Sequence, residues 1–166
     1  MLTLSTKKML ALLALPAILF SFSVAPINFS GSWSLNEGKS ELGQFGGRGA
    51  ASKMLVDQKA DAVSITKTIT SFNGDPATST EVLTEGKESE TIVFGAAKKK
   101  STLKWAADGQ GFSISYSIAF DRNGQSFELR GVETWSLGAD GKTLIMQTAL
   151  TTPQGDVSTK AVYDKQ

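Results

Sequence analysis

Between Phe112 and Phe120 apolar and small residues alternate without a break. Phe112, Ile114, Tyr116, Ile118 and Phe120 fall on one side, and Ser113, Ser115, Ser117 and Ala119 on the other. A period of two over that length is the pattern of a β-strand with one buried face. A helix would scatter the five apolar side chains around its circumference. This stretch therefore demands a sheet with a covered apolar side, and neighbouring stretches supply it. Asp108-Gly109-Gln110-Gly111-Phe112, Asn123-Gly124-Gln125-Ser126-Phe127 and Asp140-Gly141-Lys142-Thr143-Leu144 share one form: a turn, a glycine, two spacers and an apolar residue. Asn-Gly and Asp-Gly at such places are turns of the primed type, whose twist suits antiparallel neighbours.

The same reading extends along the chain. Strands are expected over Ser52–Lys59, Ala62–Ser71, Thr78–Thr84, Glu88–Phe94, Ser101–Ala106, Phe112–Phe120, Phe127–Leu137, Thr143–Thr151 and Val157–Asp164. In the second of these, Lys67 interrupts the apolar row of Val63, Ile65 and Ile69. Asn73-Gly74-Asp75-Pro76 and Gln154-Gly155 are turns. No segment has the length and 3.6 period of a long helix, although Glu37–Leu42 is compatible with a helical turn. About nine or ten strands in one flat sheet would leave long edges and a wet apolar face, and closure into a barrel removes both problems. The expected fold is all-β: an antiparallel up-and-down meander closed into a barrel of about 8–10 strands. A two-sheet sandwich is the alternative architecture.

The N-terminus reads differently. Lys7 and Lys8 precede the apolar run Met9–Phe22, and small residues follow from Ser21 to Ala25. That order is the pattern of a secretory signal peptide. The run is shorter than the roughly 20 apolar residues of a membrane-spanning helix. The expected organisation is a signal peptide over 1–25 and one β-barrel domain over 26–166. Cleavage after Ala25 leaves Pro26 first, and cleavage after Ser23 is the other option. Periplasmic or secreted localisation follows from this reading. No cysteine is present, so burial rather than disulfides must hold the fold.

Composition narrows the chemistry. The 17 basic residues include Lys7 and Lys8; without them 15 remain against 16 acidic ones, a formal charge of −1. Such a balance gives no general attraction to nucleic acid or an anionic membrane. Histidine is absent, which excludes Ser-His-Asp triads and Cys-His pairs and removes the commonest metal ligand. No P-loop, dinucleotide fingerprint or calcium loop occurs. The expectation is a non-enzymatic protein with no cofactor and no metal.

Asn28–Leu35, NFSGSWSL, opens the first strand. Gly31 permits a sharp bend, and the Trp33 ring two residues on can close a barrel end from inside. NFSGSWSLNEGKS, the later VETWSLGADGKTL and the terminal AVYDK resemble segments of small exported bacterial proteins of lipocalin-like, calycin type. The resemblance spans the whole mature chain. It implies an up-and-down barrel in the periplasm or outside the cell, and little about chemistry. Unlike true lipocalins, the chain has no clear T-D-Y segment, no disulfide and no long C-terminal helix. Lipocalins usually pack an arginine on the G-x-W ring, whereas Arg122 and Arg130 here sit in no motif that marks them for it.

If the barrel holds a ligand, its candidate lining is Phe112, Ile114, Tyr116, Ile118 and Phe120, with Leu129, Glu133 and Trp135 from the following strand. Apolar walls with few polar handles suit an amphipathic molecule such as a fatty acid or another lipid-like metabolite. The glycine-rich stretch Gly43–Gly49 is either a surface connection or a flap at the mouth, with Phe45 and Arg48 reaching the ligand. Glu133 faces inward if its strand is regular, and outward if Gly131 marks a bulge. Tyr116 is either core or a hydroxyl in a cavity. Lys98-Lys99-Lys100 is either a site for an anionic partner or a solvated turn or edge. The alternative to a carrier is a filled barrel that acts as an envelope interaction module; its protein partner is unspecified.

Expression in a Gram-negative host tests the leader. The protein should leave the cytoplasm and lose roughly 23 to 25 residues, as leader lengths allow. An intact mass retaining Met1–Ala25 in the membrane fraction would contradict the signal-peptide reading.

Overall fold

The computed structural model describes residues 27–166 apart from 44–45, 48–49, 71–73, 95–96, 123 and 153–154. The leader, and Phe45 and Arg48 of the glycine-rich stretch, lie outside the described residues. Ten strands follow in chain order: β1 (Gly31–Leu35), β2 (Lys53–Gln58), β3 (Ala62–Thr70), β4 (Pro76–Thr84), β5 (Glu88–Val93), β6 (Ala97–Trp105), β7 (Gly111–Arg122), β8 (Gln125–Leu137), β9 (Thr143–Thr152) and β10 (Gly155–Lys165). A 3₁₀ turn over Glu37–Lys39 replaces the longer helical turn that Glu37–Leu42 suggests.

The strands form one antiparallel sheet in the order β4-β3-β2-β1-β10-β9-β8-β7-β6-β5. Pairing of β1 with β10 brings the first and last strands together and rolls the sheet into a nearly closed barrel, not a sandwich. β10 is longer than β1, and backbone bonds from Asn36 to Val162 and between Glu41 and Lys160 serve the rest of its edge. One seam stays open. β4 and β5 are consecutive and joined by a tight turn, yet they are the two edges of the sheet. Near that turn the seam is tied by Gly86 N–H donating to Leu103 C=O. Farther along, the Thr91 hydroxyl donates to Thr80 C=O.

Turn chemistry follows the sequence where it is described. At the β8–β9 turn, Asp140 Oδ1 accepts from the backbone N–H groups of Lys142 and Thr143 at 2.8 and 3.0 Å. β6 departs from expectation. It begins at Ala97, so Lys98, Lys99 and Lys100 are strand residues and not a turn. Alternation sends Lys98 and Lys100 outward to Glu90 and Glu88 of β5, and Lys99 inward. Cross-strand carboxylates satisfy the run, which is why three lysines tolerate a ladder.

One end of the barrel is solid. Phe112 stacks on Trp135 at 5.1 Å and meets Phe29 and Trp105 edge-on at 4.8 and 5.2 Å. Trp33, Leu103, Ile114, Leu144 and Tyr163 are buried in the same core. The segment before β1 passes across this end. Gln58 holds it by accepting from Phe29 N–H and donating to Ile27 C=O, and Trp33 Nε1 donates to Phe29 C=O at 3.0 Å. The plug is therefore Phe29 and Trp33 together. The cation on the Trp33 ring is not an arginine: Lys165 Nζ stands 5.2 Å from its centroid. Gly31 makes room for it, since a Cβ there would lie 2.7 Å from Lys165 Cε, at a φ of +144° that other residues avoid. Arg130 instead pairs with Glu128 on the surface.

Trp33→Ala should destabilise the protein by about 3–5 kcal/mol, as truncation of a buried large aromatic does. Urea denaturation monitored by far-UV circular dichroism measures it. A midpoint equal to that of the wild type would show that the ring closes nothing.

Candidate functional site

Above the aromatic plug the barrel is hollow. A cavity of about 470 Å³ occupies this half, within the roughly 300–1,000 Å³ of small-molecule sites. Ile65, Ile69, Ala77, Val93, Ile118 and Met146 supply apolar wall. Ala50 and Ala51, just beyond the glycine-rich stretch, line the same space. Thr78 and Ser79 of β4 and Thr91 and Ile92 of β5 line it from the two sides of the open seam. Thr78, Ile92 and Phe94 are also exposed, so the cavity opens to solvent between β4 and β5.

The β7–β8 ladder is unbroken from Gly111↔Ser136 to Arg122↔Gln125. Gly131 therefore marks no bulge, and Glu133 faces inward. Gly131 stands directly across from Tyr116, and a Cβ on it would lie 2.5 Å from the Tyr116 hydroxyl. The glycine's role is to seat that ring against the sheet.

The eight residues expected to line a site divide. Tyr116, Ile118 and Glu133 reach the cavity. Phe112, Ile114 and Trp135 do not; they are fully buried in the solid end, because large rings at that level fill the barrel's width. Phe120 and Leu129 are half-buried and outside the lining, with Phe120 stacked on Phe127 at 5.7 Å. A single alternating row thus supplies plug at one end, cavity wall in the middle and rim at the other. Periodicity gives the face of a side chain and not its height in the barrel.

Three charged lining residues were not among the eight: Lys67 and Glu81 carried no expectation of a site, and Lys99 was expected only as part of a basic run. Lys67 of β3 reaches across the interior and donates to both oxygens of Glu133 at 2.7 Å. Trp135 Nε1 also donates to Glu133, at 3.1 Å. Lys99 of β6 donates to Glu81 Oε2 of β4 at 2.8 Å, joining strands on either side of the seam. Both side chains of that pair are only 8% exposed. Each lysine also faces a ring: Lys67 Nζ is 5.4 Å from Trp135, and Lys99 Nζ is 5.0 Å from Tyr116. The break that Lys67 makes in an apolar row, and the odd lysine within an alternating run, were the available signals.

Burial pushes the Glu133 carboxyl up, but the charges of Lys67 and Lys99 and the hydrogen bonds from Lys67 and Trp135 outweigh it, and the pKa ends below the usual value. The Tyr116 hydroxyl is driven far up by burial and then by the Glu133 charge, so it stays protonated. The ensemble is two ion pairs and a neutral phenol in an apolar chamber. It can orient a polar group; it holds no base beside a nucleophile of the kind hydrolysis needs.

No protein-family model and no curated protein matches this sequence. Solved structures do. The zebrafish ileal bile acid-binding protein, determined with cholic acid, is similar at a TM-score of 0.54 and 17% identity over 83% of this chain and 98% of that one. A fatty-acid-binding protein from Manduca sexta aligns at 0.47 and 14% identity over 82% and 99%. The first likeness shows the fold: a β-barrel of calycin type.

Removing Lys67 should strand Glu133. Lys67→Met is expected to cost about 3–5 kcal/mol, the range for one partner of a buried pair. Lys67→Met with Glu133→Gln should recover most of that loss, because no unpaired charge remains. A single variant as stable as the wild type in urea would mean that the pair is solvated.

Proposed function

We propose that this protein is a small-molecule binding barrel that takes an apolar or amphipathic, lipid-like ligand into the hollow half of its interior. The observation that carries the reading is the cavity itself: about 470 Å³, walled by aliphatic side chains and entered between β4 and β5. Tyr116, Ile118 and Glu133 are its binding residues from β7 and β8, and Lys67, Glu81 and Lys99 join them. Apolar lining with a few fixed polar groups is the usual construction of such a site. The likeness to a barrel solved with a bile acid supports the same direction. We also propose that the leader directs the protein to the periplasm or beyond, where it acts as one barrel domain over 26–166.

A filled interaction module would have solid packing throughout, and the cavity among the described residues supports the carrier reading over it. An enzyme has less support still: the interior carboxylates are tied to lysines, and histidine is absent.

The test uses mature protein stripped of lipid by organic solvent and titrated with Nile red, a neutral fluorophore. Saturable binding with a blue-shifted emission is expected. Ala77→Trp, which fills the cavity from β4, should weaken that binding about tenfold or more, equivalent to about 1.4 kcal/mol. Absence of saturable binding, with no lipid in the extract, would favour the interaction-module reading.

A further inference from the structure

Resting on the ligand-binding reading above, we infer that the cavity selects a neutral amphiphile whose polar end is a hydroxyl group, and discriminates against the fatty-acid anion. The charges in the chamber are balanced. Lys67 is paired with Glu133 and Lys99 with Glu81. Both oxygens of Glu133 are partnered, with two bonds from Lys67 and one from Trp135. Only one of the Glu81 oxygens is. Its Oε2 accepts from Lys99, while Oε1 is buried and has no hydrogen-bond partner among the described residues. Glu81 lines the cavity.

An ionised carboxylate accepts hydrogen bonds and donates none, so an unpartnered carboxylate oxygen calls for a donor. A fatty-acid anion has none to give. It would also bring an unbalanced negative charge into a buried space where each lysine already holds a carboxylate. It could accept a remaining N–H of Lys99, but a second carboxylate beside one ammonium leaves a buried negative charge uncompensated, which is costly. An alkylammonium supplies donors but introduces an unbalanced positive charge. A hydroxyl leaves the balance unchanged. It donates to Glu81 Oε1 and accepts from a remaining N–H of Lys99, since an ammonium carries three donors and Glu81 uses one. Tyr116, under Lys99, borders the same spot. The chain of the ligand then lies along Ile65, Ile69, Ile118 and Met146.

The experiment displaces bound Nile red from the stripped wild-type protein with dodecanol, dodecanoate and dodecylammonium at neutral pH. Dodecanol should compete at a concentration at least about tenfold lower than either ion, the minimum an unbalanced buried charge imposes. Glu81→Gln keeps the shape and leaves Lys99 without its counter-charge. In that variant dodecanoate should gain and the preference for dodecanol should shrink or invert. Dodecanoate competing as well as dodecanol in the wild type would overturn the selectivity while leaving the binding reading intact. A protein that does not take up Nile red at all would remove the binding reading itself. The wild-type series decides the selectivity even if Glu81→Gln does not fold.

Discussion

Two lysines and two glutamates share the interior of this barrel, and the hollow half can exist only because they are paired. A buried carboxylate or ammonium without a partner costs several kcal/mol, which is a large part of a domain's net stability. Pairing Lys67 with both oxygens of Glu133 removes that cost and joins β3 to β8 through the middle of the barrel. Pairing Lys99 with Glu81 does the same between β6 and β4, where the ladder is interrupted. The two contacts brace the chamber and line it. Aliphatic residues at the four positions would have drawn the walls together or filled the space.

The aromatic end supplies the complementary constraint. Phe29, Trp33, Trp105, Phe112 and Trp135 fill the width of the barrel, and the segment before β1 closes over them. With that end fixed, the opposite half need not pack tightly to hold the fold. The division between packing and vacancy falls next to Glu133, whose carboxylate accepts from the plug residue Trp135 on one side and from Lys67 on the other. Stability and ligand capacity are therefore placed at different heights of one sheet. The open seam adds access without a loose loop, because the edges of β4 and β5 are kept together by the Thr91–Thr80 bond and by the inner lysine–glutamate pair.

The carrier reading and the filled-module reading each describe half of the molecule, and the cavity is what supports the carrier reading proposed here. The balanced charges then distinguish this chamber from a site built for an anion, which would need a cation left free to meet it. Among the described residues that line the cavity, the buried side-chain atom without a hydrogen-bond partner is an acceptor, Glu81 Oε1.

Much of the fold was legible in the chain. The alternation from Phe112 to Phe120, the repeated Asp-Gly and Asn-Gly turns and the Gly31-Ser32-Trp33 entry determined an antiparallel meander, its strand faces and a buried tryptophan, because those patterns are local and have period two. The inward place of Lys99 was not among these, because the strand was expected to begin only at Ser101. What the chain alone left open was height and partnership. Phe112 and Ile118 share a face, yet one belongs to the plug and the other to the cavity, since that depends on which rings arrive from β1, β6 and β8 at the same level. Lys67 and Glu133 are 66 residues apart and Lys99 and Glu81 are 18 apart. No local rule joins them. Only closure of the sheet brings β3 against β8 across the interior, and only there does an interrupted apolar row become half of an ion pair.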